Sequence, residues 1–326
     1  MHNLPFEIIL IRKMLEIQKS AFSSNNLCIN DEAAALGREY AAANLRQDMR
    51  APAAFIDAYK SYSGSKIAIH DYFEKKRFGL RLNAIKRGYL VDSAVTSQVL
   101  RTITGDYCLV SLKPFSFAGQ HPTNASVDRL INEGTYAVAN LAMFTQRVNR
   151  AKGTLTFEEI INIAQAGESV GGLDAQEWLR LASLMYGAWD AYNGANDPYL
   201  IPLATYPGKL MFTSESQLVQ LLLLRACLED NWPDGLSIWC EVSHDAGESP
   251  EQFVEFMGRL RQEVQAAEYP PTAWLAPGIF EAFAAWYVPS RLAINRMLAK
   301  YHSKYQKGVS VPGLIERWSK PSSQQI

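Results

Sequence analysis

Apolar residues recur at steps of three and four along most of the chain, which is the spacing of an amphipathic α-helix. In the segment 250–268, charged residues fill one face and the other face carries Phe253, Phe256, Met257, Leu260 and Val264. The same pattern predicts helices near residues 6–21, 31–48, 52–62, 68–78, 92–104, 124–150, 156–166, 175–193, 214–229, 250–268, 278–287 and 290–307. We therefore expect an all-α protein, an irregular multi-helix bundle.

Four of these helices have a capping box at the start, in which a short polar residue is followed three positions later by Glu or Gln. The pairs are Thr156 and Glu159, Asp174 and Glu177, Ser214 and Gln217, and Ser249 and Gln252. Gly194 directly follows the segment 175–193 and predicts its end, since glycine tolerates the left-handed backbone found at helix C-termini. The helical interpretation thus rests on end signals as well as on periodicity.

Patterns typical of β-strands are sparse. The best candidate is DYCLVSL at residues 106–112, which limits the predicted β structure to at most a small element near that position. The segment LSIWCEV at residues 236–242 fits either a strand or a helix. Two short segments do not make a sheet-based fold.

A stretch rich in proline and aromatic residues divides the chain near residues 196–212. We expect an N-terminal helical region at residues 1–195 and a C-terminal helical lobe at residues 213–326, joined by this connection. A single large helical domain is the alternative.

Charge is segregated along the chain, although the net charge is only −1. Residues 1–152 contain 20 Lys and Arg against 13 Asp and Glu, whereas residues 153–290 contain 5 against 19. Residues 291–326 return to a basic balance of 7 against 1. An acidic middle between two basic ends predicts either internal pairing or binding to separate partners.

Composition places the chain among ordinary globular proteins, with 48% hydrophobic and 20% charged residues. Four cysteines in 326 residues do not make a disulfide framework. The apolar patch near the N-terminus is interrupted by Arg12 and Lys13, and the longest apolar run, residues 273–288, is shorter than the roughly 20 residues of a membrane span. We expect a cytoplasmic protein with no membrane span.

The common catalytic and nucleotide-binding motifs are absent from the sequence, including the phosphate-binding glycine loop, Gly-x-Gly-x-x-Gly, His-Glu-x-x-His and Gly-x-Ser-x-Gly. Cys227, Cys240 and His244 lack the second pair of ligands that a structural zinc site needs. We therefore expect no metal and no other cofactor, and the sequence favours a protein that is not an enzyme.

Arg296 and His302 form a spacing with catalytic potential. They stand six residues apart near the end of a predicted helix, almost two turns from one another. The pair resembles the Arg and His that carry RNA cleavage in the helical HEPN ribonucleases, where His would act as general acid or base and Arg would hold a phosphate. Met297 departs from that pattern, since a polar residue usually follows the Arg. The resemblance is confined to two residues of one helix.

Two further segments are candidate binding sites. The segment 74–88 interleaves apolar residues with six basic ones, namely Lys75, Lys76, Arg77, Arg81, Lys86 and Arg87. Arg296 and Lys300 belong to a second basic helix end. The loop at residues 113–124 follows the predicted strand and carries Phe115, Phe117 and His121, and such loops bind ligands more often than helices do.

The sequence predicts a non-catalytic helical interaction protein, an adaptor or a subunit of a multi-protein assembly. It would bind an acidic partner, most simply another protein, through its basic surfaces. One alternative is a metal-independent HEPN-like ribonuclease that uses Arg296 and His302. A second alternative is a nucleic-acid-binding protein that uses the basic segment 75–87.

Overall fold

The structure, a computed structural model, describes residues 29–117, 121–194 and 199–305, with side chains as far as Ala299. These residues form α1 (Ile29–Ala42), α2 (Ala53–Lys60), α3 (Tyr72–Lys86), α4 (Ser97–Ile103), α5 (Gln146–Lys152), α6 (Phe157–Ala166), α7 (Ala175–Asn193), α8 (Glu215–Leu228), α9 (Ser237–Ala246), α10 (Pro250–Ala266) and α11 (Ile279–Tyr305). Short 3-10 helices lie at Trp232–Leu236 and Pro270–Leu275, and the strands are β1 (Ala125–Arg129) and β2 (Leu141–Thr145). The predicted all-α class is confirmed. The helix predicted at residues 6–21 lies outside the described residues.

The small β element exists, but its position differs from the prediction. β1 and β2 pair antiparallel, with Ala125 opposite Thr145 and Arg129 opposite Leu141, so the helix predicted over residues 124–150 is wrong except at α5. Every residue of β2 is buried, whereas β1 is buried only at its two ends. A short strand that is buried on both faces shows no alternation, and its apolar run resembles a helix segment.

The strand predicted at residues 106–112 is also wrong. This segment folds into a tight turn in which the N–H of Leu112 donates to the carbonyl of Cys108 at 2.7 Å, and Leu112 takes a positive φ of 53°. Its bridge from Tyr107 to Pro114 is isolated. The ambiguous segment at residues 236–242 is helical and lies largely within α9.

The capping boxes that begin at Asp174 and Ser214 are both present, with side chain and backbone bonded in each direction. α7 spans the residues predicted for it and ends at Gly194, which is left-handed with φ 60°. α11 is one helix where two were predicted. It continues through Pro289, which lies inside the helix and has no N–H to donate to the carbonyl of Ala285.

The chain divides into two compact units. Unit 1 comprises residues 29–156 with Gly208–Met211, and unit 2 comprises Phe157–Pro207 with residues 212–305. Unit 2 therefore begins well before the connection at residues 196–212, and the domain boundaries drawn from the sequence stay a prediction. One apolar cluster of unit 2 is contributed mainly by α8 to α11.

None of the helices in the described part of the chain is long and apolar enough to cross a membrane.

Candidate functional site

The basic segment 74–88 is built around α3, which lies in the middle of unit 1. Phe78, Leu82 and Ile85 pack into a cluster with residues of α1 and α2. Leu80 and Ala84 pack into a separate cluster with residues of α4 and β2. A helix that is buried on two sides leaves little room for solvated side chains, so most of its cations must find partners inside the protein.

Arg81 shows this most clearly. Its guanidinium is buried and contacts two carboxylates of α1, with Nη2 2.6 Å from Oε1 of Glu32 and Nη1 2.5 Å from Oε2 of Glu39. Burial works against the charge of Arg81, but the hydrogen bonds and charges of Glu39 and Glu32 outweigh it and raise the pKa of the guanidinium. Arg81 is thus part of the interior of unit 1.

Three other cations of the segment also make internal contacts. Nε of Arg77 donates to the carbonyl of Val95 at 3.2 Å, and Lys86 pairs with Asp48. Nη1 of Arg87 lies 3.4 Å from the hydroxyl of Tyr136, at the end of the helix. Lys75, in contrast, is exposed.

Lys76 joins the helix to an aromatic surface. Its Nζ donates to the carbonyl of Ala125 at 2.6 Å and lies 5.4 Å from the ring centroid of Tyr72. Burial lowers the pKa of Lys76 and raises the pKa of Tyr72. The ammonium is therefore held in place over the ring by a backbone acceptor.

Four rings follow one another from the start of α3 to the loop at residues 113–117. The ring centroid of Tyr72 is 5.1 Å from that of Phe73 and 5.1 Å from that of Phe117, both edge to face. The ring centroids of Phe117 and Phe115 lie 6.5 Å apart, and Phe117 is 50% exposed. The two separately predicted features, the basic helix and the aromatic loop, thus meet at the contact between Tyr72 and Phe117.

A second cation lies over the other end of this surface. Cζ of Arg101, on α4, is 4.7 Å from the ring centroid of Phe73, and its Nη2 is 2.5 Å from Oδ2 of Asp71. Asp71 also caps α3, and the N–H of Glu74 and then the guanidinium of Arg101 lower the pKa of its carboxyl. We define the aromatic–basic patch as Tyr72, Phe73, Lys76, Arg101, Phe115 and Phe117.

Backbone hydrogen bonds hold the loop of this patch. The N–H of Ser116 donates to the carbonyl of Thr123 at 3.0 Å, and the N–H of Ala125 donates to the carbonyl of Ser116 at 3.0 Å. His121 is exposed, and its Nδ1 lies 2.7 Å from the hydroxyl oxygen and 3.3 Å from the backbone nitrogen of Thr123. Phe115 and Phe117 are therefore presented from a fixed backbone.

The second basic helix end lies in α11, where Arg296 is exposed and its Nε donates to the carbonyl of Leu292 at 3.2 Å. The backbone is helical at Lys300 and His302, but their side chains lie outside the described part of the structure. The ribonuclease hypothesis on Arg296 and His302 therefore stays a prediction. Among the described residues, no group of three or more His, Cys, Asp and Glu side chains could hold a metal ion.

Sequence reasoning missed three members of the patch. Tyr72 and Phe73 directly precede the basic segment 74–88, so their position was a usable signal. Arg101 is distant in sequence from both predicted segments, and no local pattern marks it. No protein-family model, curated protein or solved structure matches this chain.

Proposed function

We propose that this chain is a non-catalytic interaction protein, and that the aromatic–basic patch of unit 1 binds an acidic segment of a partner protein. The observation that carries the proposal is the ring contact between Phe117 and Tyr72. It brings the aromatic loop against the helix that carries Lys76, so that apolar and cationic groups share one surface.

The composition of the patch is that of a binding surface. Aromatic residues and Arg are enriched at the centres of protein interfaces, where a few of them provide most of the binding energy. A Phe side chain that is half exposed, as Phe117 is, leaves apolar area in water that a partner can cover. The fixed loop backbone reduces the entropy that binding would otherwise lose.

The cations of the patch suit carboxylates. Lys76 has three N–H donors and Arg101 has five, and the contacts with Ala125 and Asp71 engage only part of them. The remaining donors can bind Asp or Glu side chains of a partner, and hydrogen bonds to charged groups are stronger than those between neutral groups. An acidic segment with an aromatic or aliphatic anchor would satisfy both halves of the patch.

Two observations favour a protein partner over single-stranded nucleic acid. Bases stack on open ring faces, but Lys76 and Arg101 lie over the faces of Tyr72 and Phe73, and Tyr72 meets Phe73 and Phe117 edge to face. Several cations of α3 that could follow a phosphate backbone are engaged inside unit 1, among them Arg77, Arg81 and Lys86.

The test is a selection of the full chain against a displayed library of random peptides. We expect enriched peptides that combine Asp or Glu with an aromatic residue. Fluorescence anisotropy of the best peptide should then give an affinity at least about tenfold weaker for Phe117→Ala and for Arg101→Glu, the loss typical of interface anchors. Arg38→Glu, which reverses an exposed charge on α1, is the matched control and should bind like the wild type.

Three results would contradict the proposal. The first is a selection that enriches no acidic peptides. The second is equal peptide affinity for the wild type and both patch variants. The third is a chain that binds no acidic peptide but binds a labelled single-stranded oligonucleotide, with that binding lost in Phe117→Ala. This result would favour the nucleic-acid alternative.

A further inference from the structure

The last helix of unit 2, α11, presents a continuous exposed stripe. Between Ile279 and Ala299 the exposed residues are Glu281, Ala285, Val288, Pro289, Leu292, Arg296 and Ala299. In a helix with 3.6 residues per turn these positions fall within an arc of about 100°. The opposite side of α11 contributes Phe283, Trp286, Tyr287 and Ile294 to the core of unit 2.

The centre of the stripe is apolar. Val288 is 64% exposed and Leu292 is 74% exposed, and both are large apolar side chains one turn apart on the same side of the helix. Ala285 and Pro289 extend the apolar surface along the same stripe. Single exposed apolar residues are common, but adjacent ones on one helix face form a ridge that a partner can bury.

The charges of the stripe are arranged symmetrically about this centre. Glu281 lies about two turns before Val288, and Arg296 lies about two turns after Pro289. If two copies of α11 pack antiparallel about a two-fold axis between Val288 and Pro289, Glu281 of each copy faces Arg296 of the other. In the same arrangement the small side chain of Ala285 faces the large side chain of Leu292.

We propose that α11 forms a two-fold, antiparallel pair with α11 of a second copy of this chain, centred between Val288 and Pro289. A two-fold contact uses the same surface on both copies, which this self-complementary stripe provides. A parallel pair would instead place Glu281 beside Glu281 and Arg296 beside Arg296. The charges therefore select the antiparallel orientation.

The association is weak. A stable dimer buries about 800 Å² on each partner, and one helical stripe provides less than that. We expect a monomer–dimer equilibrium with a dissociation constant on the order of micromolar or weaker. The proposal is independent of the aromatic–basic patch, which lies on unit 1.

Sedimentation equilibrium of the full chain, at protein concentrations up to several hundred micromolar, tests the pairing. The test compares the wild type with variants in which the charges at Glu281 and Arg296 are reversed. The wild type should dimerise with increasing concentration. Glu281→Arg and Arg296→Glu each create two like-charge pairs in the homodimer and should weaken it about tenfold or more. An equimolar mixture of these two variants, and also the double variant, should recover dimers of wild-type strength because every pair is again of opposite charge.

Glu255→Arg is the matched control, since it makes the same substitution at an exposed position of α10, and it should dimerise like the wild type. Far-UV circular dichroism verifies that each variant is folded. The proposal is overturned if the wild type stays monomeric over the whole range, or if both single variants dimerise as the wild type does. It is equally overturned if neither the mixture nor the double variant regains the dimer.

Discussion

Lys75 and Arg81 carry the same charge on the same helix, and their surroundings give them opposite roles. Lys75 is exposed in the first turn of α3, whereas Arg81 is buried between Glu32 and Glu39. The basic run looks uniform in sequence, because charge alone does not indicate which side of a helix packs. Burial therefore separates structural cations from those available to a partner.

Charge reversal at these two positions should give different stabilities. Arg81→Glu places a third carboxylate beside Glu32 and Glu39 and removes the guanidinium that pairs with both, and breaking a buried pair of this kind costs about 3–5 kcal/mol. Lys75→Glu should change the free energy of unfolding by less than about 0.5 kcal/mol, because it is exposed and lies near the positive end of the helix dipole. Urea unfolding followed by circular dichroism measures both. Equal stability of the two variants would show that Arg81 is not a structural cation.

Tyr40 should make the stability of unit 1 sensitive to alkaline pH. Its ring lies 5.1 Å from that of Phe55 and 5.3 Å from that of Phe78, and burial raises its pKa from 10.0 to about 12. Because the pKa of Tyr40 is higher in the folded state, its contribution to the free energy of unfolding is complete below pH 10. That contribution is lost as the pH rises toward 12. The loss reaches about 2–3 kcal/mol.

The comparison with Tyr40→Phe isolates this effect, because the substitution keeps the ring and removes the ionisable group. Urea unfolding at a series of pH values from 8 to 12 should show the wild type losing more stability than Tyr40→Phe above pH 10. Parallel decline of the two proteins would contradict the assignment.

At the scale of helices, close backbone contacts explain glycines that propensity alone would disfavour. A Cβ built at Gly187, in the middle of α7, would lie 2.2 Å from the carbonyl oxygen of Phe212. Gly258, in α10, has no atom within 4 Å of the same position. The first glycine is needed for packing, and the second is not.

Replacing each glycine by alanine should therefore have opposite effects. Gly258→Ala should stabilise unit 2 by about 0.5–1 kcal/mol, the difference in helix propensity. Gly187→Ala gains the same propensity but forces two backbones apart, and overpacking of this kind costs about 1–3 kcal/mol or more. Tryptophan fluorescence during urea unfolding follows unit 2, where every Trp of the described residues lies. Stabilisation by both variants would contradict the contact at Gly187.

Helices whose ends carry local signals were predictable from the sequence, and contacts between distant segments were not. The capping box at Asp174 and the final Gly194 fixed the limits of α7, because caps are bonded within a few residues. β2 was missed because its fully buried run lacks alternation, and its pairing with β1 depends on residues far along the chain. Local patterns report local energies, so they cannot reveal which elements pair.

The same limit applies to the candidate site. Lys76, Phe115 and Phe117 were identified from composition, but nothing in sequence indicates that Phe117 contacts Tyr72 or that Arg101 lies over Phe73. Those contacts depend on the packing of α3, α4 and the loop in unit 1. Residue types thus predicted a surface of aromatic and basic groups, and only the fold shows which residues belong to it.

At the scale of the whole molecule, the two units carry different surfaces. Unit 1 contains the aromatic–basic patch, and unit 2 carries the stripe of α11 with its apolar centre. The acidic balance of residues 153–290 belongs almost entirely to unit 2, so the basic groups of the patch lie on the unit whose sequence is basic. This separation of charge is compatible with the proposed binding of an acidic partner by unit 1.

Hydrogen exchange with mass spectrometry, on the full chain with and without the selected acidic peptide, tests the central claim most directly. If the aromatic–basic patch binds the peptide, protection should increase at the start of α3, around Tyr72–Lys76, and in the loop at residues 113–117. At a peptide concentration near the wild-type dissociation constant, Arg101→Glu should lose most of that protection, because its affinity is at least about tenfold weaker. Protection confined to other segments, or protection of these two segments that persists in Arg101→Glu, would contradict the account.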